Sequence, residues 1–328
     1  MRRSLPLACA ALTLWGAVSV MFASATEPTV PGTSAVQAAA ATRESILAAK
    51  RVVFFGDSIT ANATYVWDVA AALRSRKLPG GGPEILSVGL SSETVSGLSE
   101  ETHPFPRPSV HERLSRALPA LKANVVFACY GMNCGIYKPL DEERFAAFRD
   151  GMQRLHDETV ASGARIIHIT PPYFDPDSKP PEQGFYASVL LRYSEWLVSQ
   201  RAVGWEVIDL HTAMRAEALK RKAADPKFTF SKDGVHPNDE GHWLMAQQVL
   251  GWLGDAEAAS AQSLSALLEG RRVPAEVATL CKQRVNVTKD SWVEAIGHKR
   301  PGVAKGLPLE KAAELAADID AKLDGLLK

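Results

Sequence analysis

The sequence predicts an α/β fold. This is a three-layer α/β/α sandwich on a five-stranded parallel sheet, followed by an α-helical C-terminal extension. Three observations carry it. Five short apolar runs alternate with amphipathic stretches between residues 52 and 254. The runs are solid rather than alternating, as in strands buried on both faces. Beyond Asp255 no such run recurs, and Pro274, Pro301 and Pro308 divide a remainder that reads as helices. Strand–helix alternation with short solid strands implies parallel pairing with helices on both faces.

The N-terminus stands apart from this pattern. Arg2-Arg3 precede an apolar run from Leu5 to Phe22 and the small residues Ala23-Ser24-Ala25. A charged start, an apolar middle and a small-x-small site read as a secretory signal over 1–25. The alternative is an uncleaved anchor, although the run barely reaches spanning length. Residues 26–42, rich in Ala, Thr, Pro and Ser, read as a linker. The expected location is therefore secreted or periplasmic.

The main domain is expected over 43–254 and the extension over 255–328. Val52-Val53-Phe54-Phe55 form the first strand, and Gly56 permits a sharp turn at its end. Asp57 and Ser58 follow, and Val66, Val69, Ala70 and Leu73 mark a helix from Thr64 to Arg76. Glu84–Val88 is the second strand, with Gly89 beginning a polar loop. A helix over Val110–Leu121 leads to the third strand, Asn124–Cys129. Phe145, Phe148, Met152 and Leu155 share one face of a helix over Asp141–Ser162, which Gly163 stops. Arg165–Thr170 and Trp205–Asp209 are the last strands, separated by a Pro-rich loop and a helix over Phe185–Gln200. Helices over His211–Lys222 and Asn238–Leu253 complete the domain. The Gly297–Gly302 stretch reads as a solvated basic turn in preference to a lid.

Composition narrows the function. The 328 residues are 46% hydrophobic and 23% charged, which is ordinary for a globular chain. Removing residues 1–25 takes away two of the 37 basic residues and none of the 37 acidic ones, leaving a net charge near −2. No basic stripe points to nucleic acid, and no segment after the signal calls for stable membrane insertion. Four cysteines fall to three in the mature chain: Cys129, Cys134 and Cys281. Their spacing is not that of a zinc site. Cys134 is expected to be more accessible than Cys129, with alkylation crowding Asn133. A disulfide to Cys281 stays open.

Polar residues follow the strands in a pattern with chemical meaning. Ser58 follows the first strand, Gly89 the second and Asn133 the third. Asp233 and His236 come after the fifth strand and its helix. In a parallel sheet all these loops open on one edge, where ligands bind. A serine hydroxyl needs a histidine to take its proton, and the histidine needs an acceptor on its other nitrogen. Pro237 keeps His236 out of the α region, so Asp233 can fold back to it within a loop. Ser58 N–H, Gly89 N–H and the Asn133 amide would serve as donors to an oxyanion. His168, His211, His242 and Trp243 read as core or surface residues.

Gly56–Ile59 (GDSI), Gly89, Gly131–Asn133 (GMN) and Asp233–His236 (DGVH) together resemble the four sequence blocks of the SGNH/GDSL hydrolases, in order. The resemblance spans about residues 50–254. It implies a flavodoxin-like sheet, a Ser58–His236–Asp233 triad, a three-donor oxyanion hole and no metal or other cofactor. One position departs from it: the third block usually reads Gly-x-Asn-Asp, and Cys134 stands in place of the aspartate. The reading is an exported ester hydrolase acting on short acyl groups of a carbohydrate or small molecule. The alternatives are lysophospholipid or thioester hydrolysis, acyl transfer to a sugar, and a non-catalytic glycan-binding protein.

Overall fold

In this computed structural model, which describes residues 45–328, the first apolar run forms strand β1 (Arg51–Gly56). Val53, Phe54 and Phe55 are completely buried. A short helix α1 (Ser58–Asn62) follows at once, and left-handed Ala63 (φ 66°) separates it from α2 (Thr64–Ser75). The remaining elements are β2 (Glu84–Ser87), α3 (Leu114–Leu121), β3 (Val125–Cys129), α4 (Glu142–Ala161), β4 (Arg165–Ile169), α5 (Tyr186–Ser199), β5 (Glu206–Ile208), α6 (Leu210–Ala224) and α7 (Asp239–Trp252). The C-terminal region adds α8 (Ala256–Ser260), α9 (Leu264–Gly270), α10 (Glu276–Ile296) and α11 (Leu309–Leu326).

The five strands form one sheet in the order β2-β1-β3-β4-β5, and every pairing is parallel. The order reverses between β1 and β3, which creates a crevice beyond their carboxyl ends. Phe54 and Phe127 stack across this pair with ring centroids 4.9 Å apart. Truncating either ring to Ala would cost about 3–5 kcal/mol, through lost burial and the cavity left behind. Helices flank the sheet on both sides. α2 packs against α7 and α10, while α4 packs against β4 and α3.

The expected strands and helices are present within a residue or two. The helix expected over Val110–Leu121 is divided into a single 3₁₀ turn at Val110–Glu112 and α3. α1 is new: the sequence pattern begins the helix at Thr64, whereas the chain coils directly from Ser58. The C-terminal helices belong to the same compact unit, Ala40–Lys328. α10 packs against α2 and β2, and α11 packs on α10. Arg284 helps to hold them, with Nε donating to both carboxylate oxygens of Asp320 at 2.9 Å. Among the described residues no helix is long and apolar enough to cross a membrane. The expected signal segment (1–25) and linker (26–42) lie outside the described residues.

Candidate active site

Ser58 owes its position to the tight turn after β1. A Cβ on Gly56 would lie 2.1 Å from Thr60 Oγ1 and 2.8 Å from the Cys129 carbonyl oxygen, so only glycine fits there. Asp57 then caps α1, its Oδ1 accepting from Ile59 N–H at 3.0 Å. Ser58 is thereby the first residue of a helix that begins at the sheet's switch point. Burial pushes the Asp57 carboxyl up to about 6, with the Ile59 N–H and His236 pulling the other way.

The loop after β2 runs against α1. A Cβ on Gly89 would lie 2.4 Å from Ala61 N and 2.5 Å from the Thr60 carbonyl carbon, so the backbones touch at this point. Leu90 N–H donates to the Gly56 carbonyl at 2.9 Å. Neither Ser58 N–H nor Gly89 N–H finds an acceptor among the described residues. Both are therefore available to a ligand oxygen.

The loop after β3 carries Asn133, which is buried. Its Nδ2 donates to the Glu93 carbonyl at 3.3 Å, and its Oδ1 accepts from Tyr137 Oη at 3.2 Å. One amide N–H remains uncommitted. Glu93 is itself fixed. Arg113 Nε and Nη2 donate to its two carboxylate oxygens at 2.6 and 2.7 Å, and Tyr130 Oη donates at 2.6 Å. This buried network was not legible in the sequence, where Glu93 looked like one polar loop residue among several.

Cys134 corrects an expectation. It is 0% exposed, against 3% for Cys129, so it is not the more accessible thiol. Its Sγ accepts from Val95 N–H at 3.5 Å, and its carbonyl accepts from Ser96 Oγ at 3.1 Å. Tyr186 Oη donates to the Met132 carbonyl at 2.9 Å and accepts from Gly135 N–H at 3.1 Å. These bonds hold the loop without the aspartate usual at this position. Cys129, Cys134 and Cys281 are all free and buried. Burial pushes the Cys134 thiol up to about 12.

Asp233 and His236 sit on the loop before α7. Gly234 adopts φ 78°, and Asp233 Oδ1 accepts from the N–H groups of Val235 and His236 at 2.9 and 2.8 Å. Asp233 Oδ2 lies 2.6 Å from His236 Nδ1. Burial pushes the Asp233 carboxyl up, but the His236 ring and the two N–H groups outweigh it and hold the group below its ordinary value. On the other side of the ring, Nε2 lies 2.8 Å from Ser58 Oγ. Nδ1–H donating to Asp233 leaves Nε2 free to accept from the serine hydroxyl. The two side chains are half exposed, at 51% for His236 and 52% for Asp233. Asn238 caps α7 by accepting from Gly241 N–H at 2.9 Å, which anchors the loop.

Ser58, Gly89 and His236 line one cavity of about 540 Å³. Asp233 reaches it through His236, and Asn133 is not among the residues that line it. His242 also lines the cavity, and burial lowers its imidazole to about 4, so it stays neutral near pH 7. One part of the wall was not expected. Lys289, Val293, Arg300 and Val303 come from α10 and the segment after it. Of the Gly297–Gly302 stretch, expected as a solvated basic turn, Arg300 and Gly302 line the cavity. Among the described residues no group of three or more His, Cys, Asp or Glu side chains is placed to hold a metal ion.

No curated protein matches the chain closely enough to count. Of the solved structures, a gut microbial diltiazem-metabolizing enzyme is 21% identical with a TM-score of 0.54; the alignment covers 62% of this chain and 47% of that one. A catalytic mutant of an acetylxylan esterase from Geobacillus stearothermophilus is 21% identical with a TM-score of 0.49, covering 62% and 94%. Another acetyl xylan esterase is 18% identical with a TM-score of 0.48, covering 61% and 98%. At 21% identity the likeness to the first of these is one of fold. Residues 54–244, more than half of the chain, match the GDSL-like lipase/acylhydrolase family. The chain belongs to that family and is a carboxylic ester hydrolase.

Proposed function

We propose that the chain is an exported serine esterase that removes short acyl groups, acetyl above all, from a carbohydrate or small molecule. The observation that carries this reading is the unbroken sequence of contacts from Asp233 through His236 to Ser58, at 2.6 and 2.8 Å. Ser58 Oγ attacks the ester carbonyl while His236 Nε2 takes its proton. Asp233 orients the ring and stabilises the imidazolium as it forms. The developing oxyanion is met by Ser58 N–H and Gly89 N–H, with the free N–H of Asn133 as third donor. His236 then returns the proton to the leaving alcohol oxygen. Water, activated by the same histidine, attacks the acyl-enzyme and releases the acid and free Ser58.

The cavity supports a short acyl group. Asn62, Ser91, Lys289, Asp290 and Arg300 contribute polar groups to its wall, and a long chain gains little free energy where it cannot bury apolar surface. Export rests on Arg2-Arg3, the apolar run and Ala23-Ser24-Ala25. A fluorophosphonate probe followed by mass mapping tests the nucleophile: the mark is expected on Ser58, and a protein that stays unlabelled, or is labelled elsewhere, would overturn the reading. Mass analysis of exported protein should place the mature N-terminus near Thr26. Intact Met1 there would remove the export claim and leave the chemistry standing.

A further inference from the structure

The part of the cavity wall between Lys289 and Ala304 lies entirely beyond residue 244, where the family match ends. It is firmly docked. A Cβ on Gly306 would lie 2.3 Å from the carbonyl carbon and oxygen of Asp290, so the chain after the turn rests directly on the backbone of α10. Gly302, between α10 and Gly306, adopts φ 71°, a conformation that glycine enters without strain.

Two cations stand on this wall, and they differ. Lys289 is occupied: its Nζ donates to the Ala61 carbonyl at 2.9 Å and lies 3.3 Å from Asp290 Oδ1. Arg300 has no carboxylate within ion-pair distance among the described residues. Its guanidinium carbon lies over the Phe105 ring, 5.2 Å from the centroid, and Nη1 donates to the Pro301 carbonyl at 2.9 Å. Its Nε–H is buried without an acceptor. The ring contact and the bond to Pro301 restrain the guanidinium, whose planar fork suits a carboxylate. Partial burial weakens the competition from water.

We propose that this C-terminal wall selects esters whose alcohol part carries a carboxylate, and that Arg300 is the residue that determines this specificity. In sugar chemistry the matching class is an acetylated uronic acid. The proposal rests on the cavity being the substrate site, as argued above, and commits that site to an anionic member of the carbohydrate esters.

The test compares acetylated glucuronic acid with acetylated glucose, which differ by the carboxylate at C6. Calorimetric binding to the Ser58→Ala protein measures recognition independently of turnover. The uronate ester should bind on the order of tenfold more tightly, the ratio expected of one charge-assisted contact. Adding Arg300→Gln should remove the preference. Adding Lys305→Gln, which deletes a charge from an exposed residue of the same segment outside the cavity wall, should retain it. Equal affinity for the two esters, or a preference that survives Arg300→Gln in a folded protein, would overturn the proposal. If Ser58→Ala keeps the preference but the parent chain hydrolyses neither ester, the anion site stands and the esterase reading of the cavity falls.

Discussion

The backbone carbonyl of Glu93 accepts the Asn133 side-chain amide at 3.3 Å, which ties the placing of one proposed oxyanion donor to a buried ion pair. Arg113 is the only cation paired with Glu93 among the described residues, and both are almost fully buried. Removing one partner of such a pair leaves an uncompensated charge, at a cost of about 3–5 kcal/mol. Arg113→Met should therefore lower unfolding free energy by that amount in urea titration. It should also reduce kcat, because the loop carrying Asn133 loses its anchor. Unchanged stability would contradict the role given to the pair.

Gly89 offers a sharper test of backbone contact. Its missing Cβ would fall on backbone atoms of Thr60 and Ala61, which cannot swing aside. Gly89→Ala should push α1 and Ser58 out of line. A misplacement near 1 Å costs roughly a hundredfold in rate, and steady-state kinetics on an acetyl ester would detect it. Full activity would mean that the two loops can separate freely.

Asp57 links stability to pH. Its folded carboxyl titrates near 6 against an ordinary value of 3.8. Between these values the folded chain holds a proton that the unfolded chain releases, so stability falls as pH rises through this window. Asp57→Asn removes the titration and keeps the helix cap. The variant should gain stability relative to the parent between pH 4 and pH 7, by at most about 3 kcal/mol. Urea titrations at both pH values measure this, and a difference independent of pH would contradict it.

The thiols should be silent. Cys129, Cys134 and Cys281 are buried, and burial raises both Cys134 and Cys281 to about 12, far from thiolate formation at neutral pH. Iodoacetamide should leave native protein unmodified and fully active, and should alkylate all three only after unfolding. Rapid native labelling of Cys134 would show that the loop opens.

What the sequence made legible follows from how local each signal is. The solid run Val52–Phe55 announces a doubly buried strand because periodicity and burial act over a few residues. Asp233 and His236 were legible for the same reason: the contact closes within three residues, and Pro237 limits the backbone. Asn133 could be nominated, but its restraints come from Glu93 and Tyr137, and the Glu93–Arg113 pair spans twenty residues of irregular chain. Cys134 was misjudged because its burial depends on Val95 and Tyr186 packing from other elements. Arg300 reads as solvated in the sequence because nothing near it in the chain reveals that α10 packs against α2 and β2 and reaches the Ala61 carbonyl through Lys289.

The most direct test is kcat/KM on an acetyl ester for Ser58→Ala and His236→Ala, with circular dichroism confirming the fold. The two residues act as a unit in the proposed mechanism, so either change alone should remove nearly all turnover, and the double variant should be scarcely worse than either. A folded Ser58→Ala protein that hydrolyses the ester at the parent rate would contradict the account.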